Sequence, residues 1–235
     1  MYRRDYPTIL YIRRAVTKLL FGDMSRVRKF MAALLIIIGI IGRILLFDFP
    51  NMETVTVACM LTGCMLGGIY TFLVPLSVMF TTDVCYMYLK GQGLSLPGWQ
   101  SIFIFTWSGF IIMTLIGRLL KNEKHKVSLR FFGLFTGFGV LGTLLYDIWT
   151  AFGFWLLFHP HTLTSLLFVY VLQIPFTIQH LLSTLLFSVS IGFPLIYLYE
   201  RVVAMIPVKV KVAIPVVTRT PRKVGSRRYG GGVYG

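Results

Sequence analysis

Over 235 residues the chain is 56% hydrophobic and 13% charged, with a mean hydropathy of +0.77 and a formal net charge of +15. A soluble domain carries about 25% charged residues, so this balance excludes a water-soluble globular fold and makes lipid the main solvent. The apolar runs are continuous rather than alternating with period two, which points to helices and away from a β-barrel.

The chain opens on a basic arm, residues 1–29, holding Arg3, Arg4, Arg13, Arg14, Lys18, Arg26, Arg28 and Lys29. Apolar residues interleave with the first five, the pattern of an amphipathic segment on an anionic membrane surface or of a frayed basic arm. No small-residue cleavage site follows a short apolar run, so the first helix is expected to be retained. Apolar spans follow near 30–47, 53–66, 69–89, 99–120, 131–158 and 176–204, with a shorter apolar piece at 162–174 leading into the last. The stretch 53–89 reads either as one long tilted helix or as two joined at Gly67-Gly68.

Charge decides between these. With a cytoplasmic N-terminus and six crossings, the arm, the loop Arg118–Arg130 and the tail from Arg201 share one side, which then holds 21 of the 23 Lys and Arg residues. Merging 53–89, or counting 162–174 as a crossing, breaks the positive-inside rule. The expectation is therefore an all-α membrane protein with six transmembrane helices over 30–204, both termini cytoplasmic, and a basic tail over 205–235 lying against lipid headgroups. No aromatic-basic module accompanies the charge, so nucleic acid is not an expected partner.

Ionisable residues at membrane depth are costly and usually face an interior cavity. Arg43, Asp83 and Asp147 are such residues, and Glu53, His159, His161 and His180 fall near the same level. They read either as a polar pocket or as an Arg43–carboxylate pair holding helices together. Trp99, Gln100, Trp107, Tyr146, Trp149 and Trp155 belong near the same interface, as an aromatic belt or as pocket walls. Gly63-xxx-Gly67 and Gly133-xxx-Gly137 have the spacing of close helix contacts. Cys59, Cys64 and Cys85 show no metal-ligand spacing and read as packing residues. There is no GxxxxGK[ST], HExxH or GxSxG, so neither a P-loop ATPase nor the common hydrolases are indicated, and no cofactor is expected. Asp147 with His180 is the one acid–base pair that an enzyme could use.

The order of motifs resembles the substrate-binding S components of energy-coupling factor (ECF) vitamin importers, in particular a cobalamin-type branch. The residues carrying it are Gly42, Arg43 and Leu45; Pro50, Asn51 and Thr56; Gly63, Gly67 and Gly68; Gly91, Gly93, Trp99 and Gln100; Trp107 and Gly109; Tyr146-Asp147; and Pro175, Phe176 and His180. Departures are Thr82-Asp83 where Ser-Asn is frequent, Ser183 or Thr184 where Asn is expected, and no strict AxxxA in the first helix.

The resemblance implies a six-helix module in a prokaryotic plasma membrane that captures a vitamin from outside. It would dock on a transmembrane T component driven by two ATPase subunits and break no bond itself. It also implies Arg43, Asn51, Asp83, Trp99, Gln100, Tyr146, Asp147, Trp149, Phe176 and His180 as substrate-binding residues, with Ala32, Ala33, Gly39 and Gly42 toward the partner. Cobalamin is the first expectation, with other vitamins or precursors behind it. The residues alone also admit an assembly protein without a ligand, a stand-alone carrier, or a membrane enzyme.

Overall fold

The computed structural model describes residues 24–89, 99–123 and 128–206; the basic arm up to residue 23 and the tail from 207 lie outside them. The described residues form seven α-helices: α1 (Met24–Leu45), α2 (Val55–Leu61), α3 (Tyr70–Leu89), α4 (Trp99–Leu119), α5 (Leu129–Phe158), α6 (Leu163–Phe187) and α7 (Phe193–Met205). Two π turns, Thr62–Leu66 and Ser188–Gly192, extend α2 and join α6 to α7. No strand occurs among the described residues.

Among the described residues, three helical runs are long and apolar enough to cross a membrane: Ser101–Leu119, Leu129–Phe158 and Leu163–Met205. Their outer faces are apolar. Ile104 is 70% exposed and Val171 61%, and large hydrophobics are exposed along most of the helices, a surface that only lipid or a partner helix solvates well. Much of the core is apolar as well. Val27, Met31, Leu35 and Gly39 make a buried stripe at four-residue spacing along α1, with Ile37, Ile41 and Ile44 exposed on other faces.

The break expected within 53–89 is present, because Gly67 and Gly68 both take positive φ, 62° and 61°, a region open to glycine at little cost. The helix before the break is unlike its neighbours. Val55–Leu66 is buried at every position and only about 18 Å long at the usual rise. It forms a half-length central helix rather than a full span. It crosses α4 backbone against backbone, since a methyl on Gly63 would run into the Thr114 carbonyl oxygen and one on Gly117 into that of Met60.

Three sequence expectations change. The described part of α1 begins at Met24, so Arg26, Arg28 and Lys29 lie within a helix. The apolar piece 162–174 is not a separate element. Pro175 lies inside α6, and one helical run of 43 residues extends from Leu163 to Met205. A methyl group on Gly133 or Gly137 would meet no atom within 4 Å, so that pair closes no contact here; Gly139 and Gly142 face neighbouring helices instead.

Contacts between helices order the bundle. Gly39 meets Val78, so α1 and α3 run side by side, while α5 packs extensively on both α4 and α6. Taking the end where α1 stops as the upper end, α1 ends two residues after Arg43. By contrast α5 continues eleven residues beyond Asp147, and α6 begins seventeen before His180. Hence α5 and α6 rise above the end of α1 as a hairpin, with the start of α4 alongside them, since Phe105 lies against Gly153.

Candidate functional site

A chain of polar side chains runs through the bundle, starting from α1. Arg43 Nη1 lies 3.0 Å from Asp83 Oδ1 on α3, and Nε lies 3.4 Å from Glu53 Oε2 just before α2. The same Nη1 donates to Thr82 Oγ1 at 2.8 Å, and the Tyr86 hydroxyl donates to the Arg43 carbonyl at 2.6 Å. Asp83 Oδ2 accepts from the Trp107 indole N–H on α4 at 2.7 Å. Both Asp83 oxygens are thus engaged, which is what a carboxylate at this depth requires.

The chain continues to α5 and α6 through His180. Its Nδ1 is 2.9 Å from Asp147 Oδ1, its Nε2 is 2.8 Å from Thr56 Oγ1, and Glu53 Oε1 stands 3.8 Å from Nε2. With Asp147 ionised, Nδ1–H donates to it and Nε2 of a neutral ring accepts from Thr56, so the carboxylate sets the tautomer. Glu53 is also fastened by its backbone. Its N–H donates to Ser183 Oγ at 3.0 Å, and that hydroxyl donates to its carbonyl at 3.1 Å. Below, the Thr143 and Thr184 hydroxyls meet at 2.8 Å. Each also lies within bonding distance of a carbonyl one turn back on its own helix, so one hydroxyl donates to its carbonyl and accepts from the other. One atom of the chain has no partner: Asp147 Oδ2 is buried and unbonded.

Above this chain a cavity of about 510 Å³ opens between α4, α5 and α6. Ile102 and Thr106 line it from α4; Tyr146, Thr150, Ala151 and Phe154 from α5; Val169, Leu172, Gln173 and Phe176 from α6; and Asn51 from the turn before α2. Asn51 takes φ of 57°, unusual for a side-chain-bearing residue but tolerated by Asn, and its amide donates to the Phe176 carbonyl at 3.3 Å. Tyr146 lies between cavity and chain, with its ring edge-on to His180 at 5.4 Å and tilted against Phe110 at 4.5 Å.

The expected site residues fall into separate groups. Arg43, Asp83, Asp147 and His180 join in the buried chain, and Asn51, Tyr146 and Phe176 line the cavity. Trp149 is 37% exposed and donates to Ser108 Oγ at 2.9 Å, on the outer side of α4 and α5. Trp99 and Gln100 begin α4, and their side chains lie outside the described residues. Of the small residues in α1, Ala32 and Gly39 are buried, Gly42 sits against Thr54, and Ala33 is exposed. His159 and His161 stay in the α5–α6 turn, where His161 Nε2 is 3.0 Å from the Leu156 carbonyl. Among the described residues no cluster of three His, Cys, Asp or Glu could hold a metal.

Sequence reasoning missed Thr56, Thr82, Tyr86 and Ser183 as members of the chain, and Ile102, Thr106, Thr150, Ala151 and Gln173 as cavity walls. For Thr56 and Ser183 a signal exists: each is a small polar residue near an ionisable one in an apolar helix, where a polar neighbour is needed.

No curated protein and no solved structure matches the chain. A family model matches residues 24–206, from the first described helix to the end of the last. The chain belongs to a family of unknown function, DUF6580.

Proposed function

We propose that this protein is a membrane-embedded solute-binding protein, which holds a vitamin-like small molecule in the cavity between α4, α5 and α6. The observation that carries the reading is the cavity of about 510 Å³, divided from the buried ion chain by Tyr146, whose ring stands edge-on to His180. Ligand sites typically run from about 300 to 1,000 Å³, mostly apolar with a few placed polar groups. Asn51, Thr106, Tyr146, Thr150 and Gln173 supply such groups among aliphatic and aromatic walls.

The finer reading is the S component of an ECF importer, with six crossings and cytoplasmic termini. In it α2 and the turn before it make one half-helical crossing, and α6 with α7 makes the last. The resemblance of motifs supports this, as does the gathering of Lys and Arg on one side. ATP would be hydrolysed by partner subunits. Binding without bond-making is favoured over an enzyme because His180 is fully buried and both its ring nitrogens are engaged.

The test is calorimetric titration of the detergent-purified chain with a vitamin panel, with a visible spectrum for co-purified corrinoid or flavin. One-to-one binding that is lost in Ala151→Trp, a substitution that fills the cavity, supports the reading. A folded protein that binds no member of the panel refutes it and leaves the ion chain as a purely structural device.

A further inference from the structure

The buried chain is short of positive charge. Asp83, Glu53 and Asp147 contribute three carboxylates, and among the described residues Arg43 is the one guanidinium bonded to them. Even with His180 counted as a cation, one negative charge is uncompensated. In a low-dielectric interior that is a heavy penalty unless one carboxyl holds a proton or a counter-charge arrives.

The shortfall falls at one atom. Asp83 has both oxygens bonded and Glu53 faces Arg43 and His180, whereas Asp147 has Oδ1 on His180 and Oδ2 on nothing. The side chain is only 3% exposed, so bulk water does not serve Oδ2. Asp147 also lines a cleft of about 160 Å³ between α5 and α6, shared with Tyr170, Gln173 and Thr177. Gln173 lines the large cavity as well, so one side chain borders both spaces. The unsatisfied carboxylate oxygen thus belongs to a residue of the cleft, with Gln173 standing between that cleft and the cavity.

Resting on the solute-binding reading above, we infer that the site selects a cationic ligand: a small organic molecule whose apolar or aromatic body fills the cavity and whose protonated amine donates to Asp147 Oδ2. Tyr146, Phe154 and Phe176 present aromatic surface suited to such a body. The excess of carboxylates rejects phosphate- or carboxylate-bearing molecules by like-charge repulsion.

The experiment compares three molecules on one skeleton, titrated by calorimetry into the purified full chain at pH 7: tryptamine, tryptophol with a hydroxyl in place of the ammonium, and indole-3-propionate. A charge-assisted bond to a buried carboxylate predicts tryptamine binding about 10–100-fold tighter than tryptophol, with the anion weakest. Asp147→Asn should shrink the preference to within about threefold. Tryptophol equal to or tighter than tryptamine, or a preference that survives in folded Asp147→Asn, overturns the inference. If that variant fails to fold, Gln173→Lys replaces it. An ammonium held in the cleft should abolish the amine preference and raise the thermal midpoint, and no change in either overturns the inference. A neutral or anionic vitamin that binds and is blocked by Ala151→Trp overturns the cationic selection while leaving the solute-binding reading intact. Silence from every probe removes both.

Discussion

Replacing Arg43 by Met should destabilise the folded chain by about 3–5 kcal/mol, the range for removing one member of a buried ion pair. The magnitude follows from what is left behind. Asp83 loses a contact of 3.0 Å and Glu53 one of 3.4 Å, and their side chains are 8% and 12% exposed, too little for water to stand in. At an effective dielectric of about 20, each contact is worth roughly 5 kcal/mol before desolvation, most of which the cost of burying the ions offsets. The loss of the Thr82 bond adds about 1 kcal/mol. The remaining cost is that of two carboxylates with no counter-ion. The assay is unfolding in mixed micelles by titrated dodecyl sulfate, followed by far-UV circular dichroism. The informative comparison is Arg43→Met combined with Glu53→Gln and Asp83→Asn. Removing the orphaned charges should return the triple variant to within about 2 kcal/mol of the original. A single variant that loses under about 1 kcal/mol, or a triple variant no better than the single, would refute the reasoning.

Other outcomes follow from the same geometry. Gly117→Val, which drives a side chain into the Met60 backbone, should prevent folding or cost more than about 3 kcal/mol; Gly137→Ala, with open space around it, should stay within about 1 kcal/mol of the original and on the stabilising side. Both are read in the same unfolding titration. N-ethylmaleimide should modify the half-buried Cys85 ahead of the buried Cys59 and Cys64, as followed by intact-protein mass spectrometry. Trp107→Phe should remove one bond to Asp83 at a cost of about 1–3 kcal/mol and leave ligand affinity within about threefold, since Trp107 does not line the cavity; a calorimetric loss of binding would contradict the placing of Trp107 and Asp83 away from the ligand.

The legible parts of this molecule were those where lipid enforces a rule. Gly67-Gly68 could be read as a break because charge parity demanded one. Arg43 and its carboxylates were candidates for pairing because an isolated ion at that depth is too expensive. The position of α2 was not legible. Its residues, Val-Thr-Val-Ala-Cys-Met-Leu and onward, are no more apolar than those of lipid-facing helices, and without a hydrophobic contrast between core and solvent nothing in composition marks a central helix. Nor could the continuity of α6 through Pro175 be seen, since proline ends most helices in water. The cavity walls were hidden for a related reason: Ile102, Ala151 and Val169 acquire meaning only when three helices are brought together.

The shortness of the central helix has a volumetric consequence. A full crossing takes about 20 residues, whereas the run from Val55 to Leu66 has 12, so about 12 Å of the column it would occupy holds no helix. Asn51, four residues before that helix begins, is already at the wall of the cavity. The void is thus a property of the backbone plan, left by a truncated element, and does not depend on small side chains carving room between full-length helices. Small substitutions along the walls should reshape it, one as large as Ala151→Trp should fill it, and adding two turns to the front of α2 would erase it.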